Sequence, residues 1–326
     1  MRAGQNEHPS QEHLDPIWRM KNIFPVKGIL PVLQTPFLQD HNLDWTAHQE
    51  LIRHALDSGA NGFLVPGVAS EVEWLHYEER EALIRSTVRL TGGRVPVIGG
   101  ASADELKDCA AYGTLCLSAG ADAFLTAVPQ NLYLQSTQEQ IRFFRELASS
   151  VPLPLIIQDL QFAGPGLHLE MMKELYDSIP SLIGFKVETI SAGLKYTALR
   201  KQLGGDCFLS GGWAVTQLIE ALDRGVDAMI PEASMIPVYR RIFDCHRTGD
   251  RDGALKWFRN LLPILAFSNQ ELYTSIAFFK KLLVRKGIFR TSICRADLFN
   301  WDEYNSKIGD ELIFDYLELE TSCIKS

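Results

Sequence analysis

Lys186 carries the strongest chemical implication in this sequence. It lies inside the apolar run Leu182-Ile183-Gly184-Phe185-Lys186-Val187-Glu188, and strand alternation places Gly184, Lys186 and Glu188 on one face and Phe185 and Val187 on the other. An ammonium group aimed into a core is costly unless it is paired or put to use. One reading is a Lys186–Glu188 ion pair, or a lysine snorkelling to a rim; the other is a nucleophilic amine. A dry site favours the neutral form of a lysine, and a neutral amine attacks a ketone to give an iminium, or Schiff base. The iminium draws electrons from the adjacent carbon and so permits proton loss with elimination, or carbon–carbon cleavage. Glu188, two residues along the same face, is the most economical acid or base for such a step. A second apolar run ends in Gln158-Asp159. An inward Gln158 would orient a substrate hydroxyl or a water, because an amide is neither acid nor base. Alternation then turns Asp159 outward unless it lies beyond the strand end, where it could share the acid–base work.

These residues need a scaffold of many short buried strands. Apolar runs ending in Gly, Pro or a polar residue occur at 28–37, 62–67, 96–100, 123–129, 154–159, 182–188, 207–212 and 227–233, as expected for strands covered on both faces by crossover helices. Between them, helical spacing recurs, as in Trp45, Leu51, Ile52, Ala55 and Leu56, with Asp44, Thr137 and Ser191 as N-cap candidates. Eight strand–helix units predict an α/β fold, a (β/α)8 TIM barrel, in which polar residues at the strand ends line the mouth. No GxGxxG or GxxxxGK[ST] follows any of the strands, against a nucleotide-binding sheet. After residue 237 the pattern reads as continuous helix through Lys286, with another amphipathic stretch from Trp301 to Leu319. The expected organisation is a polar lead-in at 1–24, the barrel at 25–248, and a C-terminal helical extension at 249–326 packed on the barrel.

Composition narrows the function classes. With 46% hydrophobic and 22% charged residues, the chain can bury a sizeable core. Forty acidic against 32 basic side chains leave a net charge of −8, so neither nucleic acid nor a membrane surface is an expected partner. The sequence has no apolar run of 18 residues and no apolar segment at its start, which predicts a cytoplasmic protein. The six cysteines are scattered without CxxC, and the eight histidines show no HxH or HxxxH, so no metal is expected. Glu232, near the end of the eighth run, could face the mouth but reads rather as a solvated loop carboxylate, and Lys280-Lys281 with Arg285-Lys286 read as a solvated helix face.

Taken in order, several motifs resemble one family, the dihydrodipicolinate synthase and N-acetylneuraminate lyase group of class I Schiff-base lyases on a (β/α)8 barrel. They are Thr35-Pro36-Phe37, Gly67-Val68-Ala69-Ser70-Glu71, Leu75 with Glu78-Glu79-Arg80, Val95 to Gly100, Leu153-Pro154-Leu155-Ile156, Gly184-Phe185-Lys186, and Lys286-Gly287 with Arg295. The resemblance spans Gly28 to Arg295. It implies that Lys186 is the Schiff-base lysine, that no cofactor is needed beyond it, and that the substrate is a small 2-oxo acid. Residues 67–71 look like the family's Gly-Thr-Thr-Gly-Glu loop, with Val68 and Ala69 in place of the threonines. The carboxylate would then rest on the backbone of Val68 and Ala69 and on the Ser70 hydroxyl.

Gln158 holds the position of the family's proton-shuttling tyrosine, and the arginine that holds a second substrate in dihydrodipicolinate synthase would fall near Ala163, which argues against lysine biosynthesis. Gln158-Asp159, Lys186-x-Glu188 and Gly211-Gly212-Trp213 are similar to a smaller branch around 2-keto-3-deoxy-L-arabonate dehydratase, with Gly211 and Trp213 expected at the substrate. Tyr133 falls where the family often has a tyrosine reaching a neighbouring subunit, and the resemblance implies a homotetramer or homodimer. The function expected is dehydration of a 2-keto-3-deoxy sugar acid. The alternatives are retro-aldol cleavage to pyruvate plus an aldehyde, and a non-catalytic barrel that binds a 2-oxo acid.

Overall fold

A computed structural model describes residues 26–296 and 301–325, without the side chains of Trp213 and Ala214. The lead-in expected at 1–24 lies outside the described residues. Among the described residues, eight parallel strands run in the order β1-β8-β7-β6-β5-β4-β3-β2. They are β1 (Gly28–Ile29), β2 (Phe63–Val65), β3 (Val97–Gly100), β4 (Ala123–Ala127), β5 (Leu155–Gln161), β6 (Leu182–Thr189), β7 (Phe208–Gly211) and β8 (Ala228–Met229). Val32, just past β1, bridges both Leu64 and Glu232, and the Leu33 amide donates to the Leu64 carbonyl at 3.1 Å. This last contact joins β1 to β2 and closes the sheet into the (β/α)8 barrel that the strand count predicts.

The helices between the strands are α1 (Trp45–Asp57), α2 (Tyr77–Thr91), α3 (Leu106–Ala119), α4 (Thr137–Ser150), α5 (Leu169–Ser178), α6 (Ala192–Leu203) and α7 (Leu218–Asp223). After β8 come α8 (Ile236–Arg247), α9 (Arg251–Ser268), α10 (Leu272–Arg285) and α11 (Glu303–Lys325). Asp44 caps α1 as its sequence position suggests, accepting from the amides of Thr46 and Ala47 at 3.1 Å. For α4 the cap is Ser136 rather than Thr137: its hydroxyl accepts from the Glu139 amide while Glu139 reaches back to the Ser136 amide. That reciprocal pairing needs a hydroxyl and a carboxylate three apart, which 136 and 139 supply. Ser191 precedes α6 in a left-handed conformation and its side chain makes no capping bond.

Strand alternation, with one extra residue in β6 where its register against β5 shifts between Leu155 and Ile156, sorts the core into two layers. Leu30, Val32, Leu64, Ile98, Leu125, Ile156, Ile183, Phe208 and Ile230 fill the barrel interior. Phe63, Val65, Phe124, Ile157, Phe185, Val187 and Leu209 face the helices. Each strand is thus buried on both sides, and its residues read as a continuous apolar run. A polar residue on the inward set beyond the last apolar layer therefore points into the mouth.

The segment 237–286, expected as one continuous helix, is divided. Gly249, at φ 84°, and the turn at Asn269 break it into α8, α9 and α10. The basic cluster is a solvated face only in part: Arg285 is exposed, whereas Lys280 and Lys286 turn inward. Lys280 is fully buried, ion-paired with Glu71, donating to the Ile293 carbonyl at 2.8 Å and lying over the Phe37 ring. Lys286 pairs with Glu320 of α11 at 2.6 Å and donates to the Ser234 carbonyl. Such lysines are tolerated inside because each gains a carboxylate and a carbonyl, partners supplied from more than 30 positions away or from a different element.

Candidate active site at the barrel mouth

Lys186 lies near the C-terminal end of β6, directly beside Gln158 of β5 in the parallel register, and Glu188 lies beside Leu160. Lys186 is only 5% exposed. Its Nζ stands 3.0 Å from Glu188 Oε2, and the Gln158 side-chain amide donates to that same oxygen. Two polar side chains from neighbouring strands, Lys186 and Gln158, therefore converge on the Glu188 carboxylate. The amine, the carboxylate and the amide line a cavity whose other walls include Val32, Leu160, Val215, Ile230, Leu272 and Phe279. Gln158, Lys186 and Glu188 are all buried, so charge–charge and hydrogen-bond interactions among them act at more than their aqueous strength.

Asp159 does not join this group. Alternation turns it out of the barrel, where it is fully buried and accepts from Tyr133 Oη at 2.9 Å, from the Leu167 amide at 3.0 Å and from Lys195 Nζ. Gly166, in a left-handed conformation, lets the loop approach so closely that a Cβ there would fall 2.3 Å from the Asp159 carboxylate. The expected catalytic share of Asp159 is thus replaced by a structural one: it ties β5 to α6 and to the following loop. Burial raises the Tyr133 phenol well above its ordinary range, with the Asp159 carboxylate adding to the effect. Burial lowers Lys195 while Asp159 opposes that shift.

Of the expected carboxylate loop, Val68 and Ala69 line the cavity, at the start of a short 3-10 turn (Val68–Ser70). Ser70 does not reach the cavity. Its hydroxyl accepts from the Gly67 amide at 2.9 Å and donates to the Leu33 carbonyl at 2.6 Å, and Ser70 is fully buried. The hydroxyl therefore folds the loop instead of offering itself to a ligand. Gly211 is likewise displaced by its neighbour. A Cβ at Gly211 would meet Tyr196 Oη at 2.5 Å, on the helix side, whereas a Cβ at Gly212 would lie 2.3 Å from Glu188 Oε1 and 2.4 Å from Lys186 Cε. Gly212 is the residue at the site. Trp213 begins a short 3-10 segment, and its side chain lies outside the described residues.

Glu232 also departs from expectation, being buried in the cavity wall. It accepts from Gln34 Nε2 at 2.9 Å, from the Met235 amide at 3.1 Å and from the Ser234 amide. Burial pushes its carboxyl up, and those donors partly offset the push. A sequence signal for this existed: Ala228, Ile230 and Glu232 follow one alternation, and Leu30, Val32 and Gln34 follow another, so the inward facing of the two apolar residues predicts the Gln34–Glu232 pair. For Asn269, Leu272, Ser275 and Phe279, which α10 and the turn before it bring to the same cavity, no local signal exists. Among the described residues no three His, Cys, Asp or Glu side chains group as metal ligands, and no helix is long and apolar enough to cross a membrane.

The chain is similar to known proteins along most of its length. The chain is 27% identical over 268 residues to an L-2-keto-3-deoxyarabonate dehydratase of Azospirillum brasilense, covering 80% of this chain and 84% of that one. It is 28% identical over 244 residues to a 4-hydroxy-tetrahydrodipicolinate synthase of Symbiobacterium thermophilum, covering 72% and 80%. A synthase of Thiobacillus denitrificans matches at 34% over 142 residues, less than half of either chain. Among solved structures, the synthase of Methylacidiphilum fumariolicum SolV superposes with a TM-score of 0.83 at 19% identity, covering 92% of this chain and 99% of that one. A prophage protein from E. coli K12, solved in complex with pyruvate, gives 0.79 at 24%, covering 90% and 98%. These structures share the fold. The model of the dihydrodipicolinate synthetase family matches residues 25–310, most of the chain, and the protein accordingly belongs to that family of lyases.

Proposed function

We propose that the protein is a class I Schiff-base lyase acting on a 2-oxo acid, and that its reaction is the dehydration of a 2-keto-3-deoxy sugar acid. The observation that carries this reading is the buried Lys186 amine, 3.0 Å from Glu188, at the strand end of a cavity with mostly apolar walls. The ion pair with Glu188 offsets the cost of burying the amine, and the same carboxylate stands where it can take the amine's proton before the attack. Lys186 attacks the ketone carbon, and the ketone oxygen departs as water, leaving the iminium. Glu188 takes a proton from carbon 3, giving the enamine. The same carboxyl then returns that proton to the hydroxyl on carbon 4, which leaves as water while the carbon 3–carbon 4 double bond forms. Water hydrolyses the iminium, frees Lys186 and releases an unsaturated 2-oxo acid, which tautomerises to a semialdehyde when carbon 5 bears a hydroxyl.

Gln158 supports this assignment in two ways. Its amide donates to Glu188 and so fixes the carboxylate, and it cannot itself move a proton, which leaves Glu188 as the base. Carboxylate binding falls to the backbone of Val68 and Ala69, since the Ser70 hydroxyl is committed to the loop. The similarity to the Azospirillum dehydratase favours elimination over cleavage. The second reading, retro-aldol cleavage to pyruvate, rests on the same amine and is motivated by the pyruvate complex of the prophage protein.

Borohydride reduction in the presence of 2-oxo acids tests the covalent step. Expected is a mass increase on the Lys186 peptide, absent in Lys186→Ala. No increase with any 2-oxo acid overturns the Schiff-base reading in favour of a non-catalytic binder. Product analysis with 2-keto-3-deoxy acids then separates a semialdehyde from pyruvate plus an aldehyde.

A further inference from the structure

We propose that Asn269 and Ser275 form a second polar pole of the cavity, which binds a hydroxyl group of the substrate remote from its ketone. The C-terminal helices would thereby select hydroxylated 2-oxo acids over plain ones. This inference rests on the reading of the cavity as a 2-oxo acid site and adds to it the residues that choose among such acids.

Much of the cavity's hydrogen-bonding capacity is already spent. Gln158, Lys186 and Glu188 bond to one another. Glu232 accepts from three protein donors. What remains among the polar side chains on the α10 side of the wall is the Asn269 amide and the Ser275 hydroxyl. Asn269 Nδ2 is buried with no hydrogen-bond partner. Ser275, 3% exposed, makes its side-chain contact to Asn269 Oδ1 at 3.5 Å, the outer limit of a hydrogen bond. Their surroundings are Leu272 and Phe279 on the same helix, facing Val32 and Ile230 across the cavity. An amide hydrogen left unmatched in hydrocarbon carries an unrecovered desolvation cost. A ligand hydroxyl, one donor and two acceptor sites, removes it by accepting from Asn269 and exchanging a bond with Ser275. Neither residue is charged, so the chemistry fits a neutral hydroxyl and not a second carboxylate.

The pair is also held in place before any ligand arrives. Glu271 caps α10 by accepting from the amides of Tyr273 and Thr274. Further along the same helix Lys280 is locked to Glu71, the residue that ends the Val68–Ser70 turn. The helix carrying Ser275 is therefore tied to the loop on which the substrate carboxylate would rest. Binding energy at such a pole is not spent on ordering it.

Ser275→Ala and Asn269→Ala test this with two probes of equal chain length, 2-oxopentanoate and a 2-keto-3-deoxypentonate. The half-saturating concentration for borohydride trapping is read for each at short exposure. Each variant is expected to raise that of the hydroxylated acid about 3- to 10-fold, the span of one neutral hydrogen bond, and that of 2-oxopentanoate by less than about twofold. Equal shifts for both acids, or no shift for either, overturn the proposal. If the unaltered protein traps neither acid, the covalent reading fails, and calorimetric binding of the same two acids decides this one. The same ratio of shifts supports the hydroxyl pole, and binding of neither acid overturns it too.

Discussion

Gly212→Ala is the smallest change that separates the site from its scaffold. The added methyl would sit 2.3 Å from Glu188 Oε1, 2.4 Å from Lys186 Cε and 2.9 Å from Lys186 Nζ. Ordinary contact begins at 3.4 Å, so both side chains must retreat by about 1 Å. A misplacement of that size between reacting groups costs roughly 10²-fold in rate. The expected result is a roughly 100-fold slower borohydride trapping of a 2-oxo acid, measured by mass spectrometry, with the fold retained. Gly211→Ala is the control. Its methyl would press on Tyr196 Oη and on Met229 and disturb the bond from Tyr196 to the Val187 carbonyl. Such overpacking destabilises by about 1–3 kcal/mol, seen as a lower unfolding midpoint with trapping changed only a few-fold. Trapping at the unaltered rate in Gly212→Ala, or an equal loss in both variants, would refute the placement of Gly212 against the reacting groups.

Three further outcomes are expected. Glu188→Gln should keep the Lys186 adduct but lower turnover by about 10²- to 10⁴-fold; turnover that survives assigns the proton transfers to another group. Lys280→Met leaves Glu71 as a buried carboxylate with the Arg295 amide as its remaining donor, at a cost of about 3–5 kcal/mol, or a melting midpoint roughly 10 °C lower. A fall of less than about 2 °C would show that the pair contributes little. Stability should also decline on acidification from about pH 6.5 to 4. Burial holds His48 and His54 down at about 4, with Lys286 adding to the effect at His54. In that window the unfolded chain binds protons that the folded chain refuses, so unfolding becomes easier as pH falls, by up to about 1.4 kcal/mol per pH unit for each histidine. Denaturant unfolding at pH 7 and pH 5 checks it, and equal stability at both would contradict the burial of these rings.

What the sequence by itself determined is whatever depends on short-range periodicity. Two-residue alternation in buried strands separated Lys186 and Glu188 from Phe185 and Val187, and Gln158 from Asp159, because successive side chains of a regular strand point to opposite faces. The repeat of such strands with helices between them determined the barrel. The same alternation, carried two residues further along β8, would have placed Glu232 in the wall. The tertiary structure decided whatever depends on who meets whom. Ser70 has the composition of a ligand contact, yet its hydroxyl is consumed by Gly67 and Leu33, a pairing set by the approach of the first strand. Lys280 looks like a solvent-facing residue until Glu71, 209 positions away, reaches it. Asn269 and Ser275 enter the cavity only because α10 packs across the mouth. Hydrogen-bond capacity is local to each residue, but whether it is spent or left for a ligand depends on partners the chain brings from far away.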